Sequence, residues 1–159
     1  METIVASDLH LSEVPAADPK RPLWRAFMRR EHTPDEAFCA MLDHAERTAE
    51  GPIELVLNGD IIDFDNILAL PEGDTRPVDW LARLRGLSSE EWMSTFKIDR
   101  VIADHPLFFS RLKAFIEDGN RVVFIVGNHD LELLWPSVQD RIRAALDLPA
   151  RTPTMPGMP

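Results

Sequence analysis

Three short runs of the chain are almost continuously apolar: TIVAS (3–7), IELVLNGD (53–60) and RVVFIVGN (121–128). Each is rich in β-branched residues, each is of strand length, and each breaks off into Ser, Gly, Asn or Asp. Such runs suit parallel strands buried on both faces. Between them the apolar period lengthens to that of a helix. In TPDEAFCAMLDHAERTAEG (33–51), Thr33 can cap, Pro34 suits the first helical position, Glu36 completes a capping box, and Gly51 marks the exit. Phe38, Met41, Leu42 and Ala45 form its apolar stripe. DHPLFFSRLKAFIEDGN (104–120) offers Pro106 near a start and Gly119 at a stop, with Leu107, Phe108, Leu112, Phe115 and Ile116 at helical spacing. A further helix is expected in WPSVQDRIRAALDL (135–148), starting at Pro136 or Ser137. The order β, α, β, α, β predicts an α/β domain over residues 1–148.

Two stretches interrupt the rhythm. DPKRPLWRAFMRREH (18–32) carries Lys20, Arg21, Arg25, Arg29 and Arg30, either a solvated charged face or a cationic arm that gathers an anionic substrate. Residues from about 66 to 105 form an insertion with a capped helix in SSEEWMSTFKIDRVIA (88–103). It suits a lid or an oligomer contact. Core packing is the expected role of its Trp80, Trp92, Met93 and Phe96. From residue 149 the chain reads PARTPTMPGMP, with the proline content of an unstructured tail.

Composition narrows the partners. With 17 Lys and Arg against 27 Asp and Glu, the net charge of -10 opposes general binding to nucleic acid or anionic lipid. A phosphorylated substrate therefore needs local positive charge or a metal. The single cysteine, Cys39, excludes an internal disulfide framework and reads as a small helix-face residue rather than a reactive thiol. No apolar segment approaches about 18 residues and no leader-like stretch precedes the first strand, so no transmembrane segment is expected and the cytoplasm is the default.

The chemistry sits where the strands stop. The first ends in ASDLHL, the second in NGDIIDFD and the third in GNHDLE. The carboxyl ends of parallel strands share one edge, and ligands bind in the crevice there. Asp8, His10, Asp60, Asp63, Asn128 and His129 are therefore expected to converge. Carboxylates so gathered repel one another and lose solvation, which a bound cation relieves. Oxygen and imidazole donors without thiolate suit Mn, Fe, Zn or Mg. For this composition a G-N-H-D run arises by chance about 0.0005 times and G-D-x-x-D about 0.06 times, whereas D-x-H alone, at about 0.5, carries nothing.

DLH, GDIID and GNHD resemble the first three metal motifs of the calcineurin-like metallophosphoesterases, over roughly residues 3 to 135. The resemblance implies a sandwich of β-sheets flanked by helices and a phosphoesterase with two divalent metal ions. Asp8 and His10 would hold the first metal, Asp60 would bridge both, and Asn128 would bind the second. His129 would stand by the leaving group with Asp63 orienting its imidazole. Such a pair of cations, about 3.5 to 4 Å apart, can generate a bridging hydroxide and clamp an in-line displacement at phosphorus. Asp65 and Asp130 rank below these as acceptors or caps. The family's further histidine motifs, with a G-H-x-H, are missing after His129; His32, His44 and His105 are weak substitutes. The chain is accordingly expected to be the N-terminal part of a longer enzyme, weakly active alone. Position 64 is Phe where the family's protein phosphatases place a phosphate-binding Arg, which argues against that substrate. The competing reading is a catalytically silent interaction module of the same fold.

Overall fold

The computed structural model describes residues 1–74 and 78–150; the tail expected to be unstructured lies, from residue 151, outside them. Strands β1 (Glu2–Ala6), β2 (Ile53–Asn58) and β3 (Arg121–Ile125) form a parallel sheet in the order β1-β2-β3. Ile4 pairs with Leu55 and Leu55 with Val122; Ala6 pairs with Leu57 and Leu57 with Phe124. Five α-helices complete a mixed α/β domain among the described residues: α1 (Asp35–Thr48), α2 (Trp80–Arg85), α3 (Glu91–Asp104), α4 (Pro106–Glu117) and α5 (Pro136–Ala145).

Strand order dictates where the core lies. Crossovers between parallel strands are right-handed, so two that advance in the same direction lie over the same face of the sheet. Ile53, Leu55 and Leu57 on that face are buried against Phe38, Leu42, Ile98, Phe108, Leu112 and Phe115. Among the described residues the other face carries no helix and is open at its edges: Val5 is 60% and Ile125 46% exposed, with Glu54 and Arg121 paired across it at 3.2 Å. The expectation of strands covered on both faces therefore fails. A near-continuous apolar run does not say whether its second face has a partner.

Helix boundaries follow the sequence closely, capping less so. Helix α1 begins one residue after Pro34, but the Thr33 hydroxyl donates to the Arg30 carbonyl instead of capping. Phe38, Leu42 and Ala45 are buried as expected, with Met41 half-buried. Pro106 and Pro136 occupy first-turn positions of α4 and α5. The insertion is mostly body rather than lid, because Met93, Ile98 and Val101 of α3 are buried and α3 packs on α5. Trp80 and Trp92, expected in the core, are 74% and 53% exposed, and Leu107 of α4 also faces water.

The arm over 18–32 contains two 3-10 turns, Ala26–Met28 and Arg30–His32, and its four arginines are engaged within the protein. Arg25, with φ of 50°, pairs with the buried carboxylate of Glu13 and donates to the Asn66 carbonyl. Arg21 pairs with Asp18, and Arg29 and Arg30 donate to the carbonyls of Pro22 and Asp104. That ties the arm to the body and removes these guanidiniums from a substrate-gathering role.

His105 is a structural histidine. Its Nδ1 lies 2.7 Å from Asp35 Oδ2 and its Nε2 2.8 Å from the Ser12 carbonyl, all within the core. Both partners are acceptors, so the ring satisfies them only when both nitrogens carry hydrogen. Burial works against the Asp35 carboxylate, yet the hydrogen bond and charge of His105 hold its pKa below the ordinary value. A depressed carboxylate stabilises the fold fully above its unfolded pKa, about 3.9, and that contribution is lost as pH falls through the folded value. Asp35→Asn is expected to cost about 3 kcal/mol at pH 7, by urea denaturation, with the gap to wild type closing below about pH 4. An equal gap at pH 7 and pH 3 would contradict the pairing.

Candidate metal centre

The three strand-end loops are held together by a hydrogen-bond ladder that outlasts the strands. Beyond β1, the amides of Asp8, His10 and Leu11 donate to the carbonyls of Gly59, Asp60 and Ile61 at 3.2, 3.0 and 2.8 Å. Gly59 N donates to Ile125 O, Asp63 N to Leu11 O, and Phe64 N to His129 O. An isolated bridge joins Leu11 to Ile62. The loops thus remain in register although none is any longer a strand.

Their backbone is strained at the chemically interesting residues. Only five non-glycine residues among those described have positive φ, and three of them are Asp8 (57°), His10 (48°) and Asp60 (53°). Left-handed backbone costs an L-residue roughly 1–2 kcal/mol, and clustered strain of this kind marks functional sites. The kinks have a geometric effect. They turn Asp8, His10 and Asp60 off the strand direction so that one ligand atom from each lies within 4.8 Å of the others.

Glycine makes the approach possible. Gly59 has φ of 77°, and a Cβ built on it would stand 3.1 Å from Gly127 Cα. At Gly127 an added Cβ would stand 2.3 Å from Asp60 Oδ1 and 2.5 Å from Asp60 N. Two carboxylates, one half-buried and one buried, fix this junction further. Asp60 Oδ1 accepts the His129 amide at 3.0 Å, and Asp130, fully buried, accepts from Ile61 N at 2.9 Å and from Gly127 N. Asp130, ranked low in sequence, is the brace between the second and third loops.

A second group adjoins the first. Asp63, Asp65 and His129 also offer ligand atoms within 4.8 Å of one another. His10 and His129 meet edge to face with centroids 5.3 Å apart, and His10 Nδ1 is 3.6 Å from Asp63 Oδ2. His129 Nδ1 is 4.0 Å from Asp63 and 3.6 Å from Asp65, too far for a hydrogen bond, and has no hydrogen-bond partner. The expected Asp63–His129 hydrogen bond is therefore not made. Asp63 instead accepts from Asn66 N and Nδ2 at 3.1 and 2.6 Å. Asn128 is exposed and lines the cleft beside Asp65.

Charge compensation is sparse. Among the described residues the arginine ion pairs go elsewhere, to Glu13, Asp18, Asp43, Glu46, Glu54, Asp99 and Asp104, and none reaches Asp8 or Asp60. The cation below the second group is Lys97, fully buried, 3.5 Å from Glu132 and bonded to the Leu87 carbonyl. Burial lowers its pKa while Glu132, Asp65 and Asp63 oppose the shift; burial likewise raises that of Glu132. Sequence reasoning passed over Lys97, yet its i−4 and i+4 neighbours are Met93 and Val101, both buried, which was the available signal. His32 and His44 are exposed and lie outside both groups. Phe64 is in the core and supplies no charge to phosphate.

These donors fit divalent cations on chemical grounds. Carboxylate oxygens and imidazole nitrogens converge without thiolate, uncompensated by basic side chains, at strained positions. Comparison with protein-family models, with curated proteins and with solved structures finds no match to this chain.

The crowding at Gly127 is directly testable. Gly127→Ala is expected to weaken Mn affinity at least about tenfold, equivalent to about 1.4 kcal/mol, in calorimetric titration. Gly51→Ala, where a Cβ meets nothing within 4 Å, is expected to leave it unchanged. Wild-type affinity in Gly127→Ala would contradict the geometry.

Proposed function

We propose that the chain is a metal-dependent phosphoric ester hydrolase acting on a phosphate monoester, diester or pyrophosphate. The observation that carries this reading is the convergence of Asp8, His10 and Asp60 beside Asp63, Asp65 and His129 at the carboxyl edge of the sheet. Asp8, His10 and Asp60 would hold one cation, and Asp60 with Asn128 a second, each Mn, Fe, Zn or Mg. When bound, the cations supply an activated water and countercharge for the phosphoryl oxygens.

The chain's own residues do the rest. His129 stands at the edge of the cleft with Asp63 and Asp65 oxygens on its Nδ1 side. A carboxylate that draws close enough to accept a hydrogen bond from Nδ1–H orients the ring and supports the imidazolium, whose Nε2 then carries the proton to be given up. As water oxygen bonds to phosphorus and the ester bond breaks, Nε2 gives that proton to the departing oxygen. Asp60 Oδ1, by accepting the His129 amide, couples the position of the acid to that of a cation ligand.

A second reading, a catalytically silent interaction module, is favoured by the open sheet face carrying Val5 and Ile125. The two differ in metal dependence. The hydrolase reading expects Mn at one hundred times its Kd to stabilise the protein by about 2.7 kcal/mol, and Asp60→Asn to abolish that gain. It also expects His129→Ala to lower turnover of an aryl phosphate by about 10²–10⁴-fold with Mn binding retained. Turnover unchanged in both variants, or no metal-dependent stabilisation in the wild type, would reject it.

A further inference from the structure

We propose that the cleft beside His129 binds the organic group of the substrate and that this group is apolar and carries no further negative charge. The inference rests on the hydrolase reading and names the substrate class for it. The cleft, of about 650 Å³, is lined by Asp65 and Asn128 together with Leu131, Leu134 and Trp135. Asp65 and Asn128 connect the cleft to the candidate metal groups: Asp65 Oδ2 lies 3.6 Å from His129 Nδ1, and Asn128 precedes His129 in the chain. A substrate whose phosphoryl group sits at the candidate metal groups therefore has room for its organic group in the adjoining cleft.

Local geometry explains the cleft's apolar wall. Residues Leu131–Leu134 form a 3-10 turn, in which side chains three apart eclipse. Leu131 and Leu134 consequently stack on one outward face, 57% and 64% exposed, while Glu132 and Leu133 turn inward and are buried. Trp135 extends the stripe, 39% exposed. The wall is also fixed in advance of any ligand: the Trp135 indole donates to Ser89 O at 2.9 Å, and Glu132 is held by Lys97 at 3.5 Å. A preformed apolar wall beside a few placed polar groups is the usual form of a small-molecule subsite.

Charge and the apolar wall select the occupant. The ionisable groups lining the cleft are Asp65 and Glu132, and neither lysine nor arginine lines it. Lys97 is sealed beneath, with no exposed surface. A group bearing further phosphates or carboxylates meets only like charge there. Asp65 is exposed and makes no hydrogen bond to His129, so what disfavours a cationic group is the apolar wall of Leu131, Leu134 and Trp135, not charge. An alkyl chain or an aromatic ring meets both conditions.

The test is binding of non-hydrolysable phosphonates to the full chain loaded with Mn, measured by calorimetry. Octylphosphonate or phenylphosphonate is expected to bind at least about tenfold tighter than methylphosphonate, since a fully buried methylene is worth roughly fourfold. Whichever of the two gains more tells an aliphatic from an aromatic substituent. Leu134→Asp, at an exposed position, is expected to remove the gain while leaving methylphosphonate and Mn affinities as they were. Equal affinities for all three ligands, a gain that survives Leu134→Asp, or tighter binding of phosphocholine than of octylphosphonate would overturn the inference while the hydrolase reading stands. Failure of the protein to bind Mn at all would overturn both.

Discussion

The candidate site depends on backbone hydrogen bonds that continue past the ends of the strands. Parallel strands deliver their carboxyl ends to one edge, but an edge about 10 Å across three strands is too wide to coordinate a single ion. The amides of Asp8, His10 and Leu11, bonded to the carbonyls of Gly59, Asp60 and Ile61, keep the first two loops side by side as they leave the sheet. Left-handed φ at Asp8, His10 and Asp60 then bends their side chains inward. Gly127, with no room for a Cβ, lets the third loop close over Asp60. Take away the ladder and the same residues would lie along an open edge.

Held this way, the loops concentrate negative charge that the protein does little to neutralise. Asp60 has the His129 amide and Asp63 has Asn66, but the arginines of the arm are spent on Glu13, Asp18 and backbone carbonyls. Folding alone has no use for carboxylates gathered at strained positions; unrelieved, they weaken it. A bound cation would resolve the conflict, and that is the physical ground for the hydrolase proposal. The histidine pair in the core shows the contrast: His105 has acceptors on both nitrogens, whereas His129 Nδ1 has no partner. A satisfied histidine holds structure, and an unsatisfied one beside a cleft is free to work.

Much of this was legible in the chain and some could not be. Apolar runs ending in Asp, Gly and Asn gave the three strands, and Pro106 and Pro136 gave two helix starts, because those signals are local. Convergence of Asp8, His10, Asp60, Asp63 and His129 followed from topology, since parallel strands have only one carboxyl edge. What escaped depends on who sits across from whom. Trp80 and Trp92 looked like core residues by size alone and face water; the second face of the sheet looked covered and is open at Val5 and Ile125. The missing Asp63–His129 hydrogen bond turns on Asn66 claiming the carboxylate, a contact three residues away that no pattern announces. The braces Asp130 and Lys97 are of the same kind: their residue types were visible, their partners were not.

The most direct measurement is anomalous diffraction at the manganese edge from crystals of the protein grown with Mn. The expected result is density for Mn within ligand distance of Asp8, His10 and Asp60. Strong Mn sites confined to other carboxylates, with those three side chains unliganded, would contradict the claim that the strand-end loops are built around a cation.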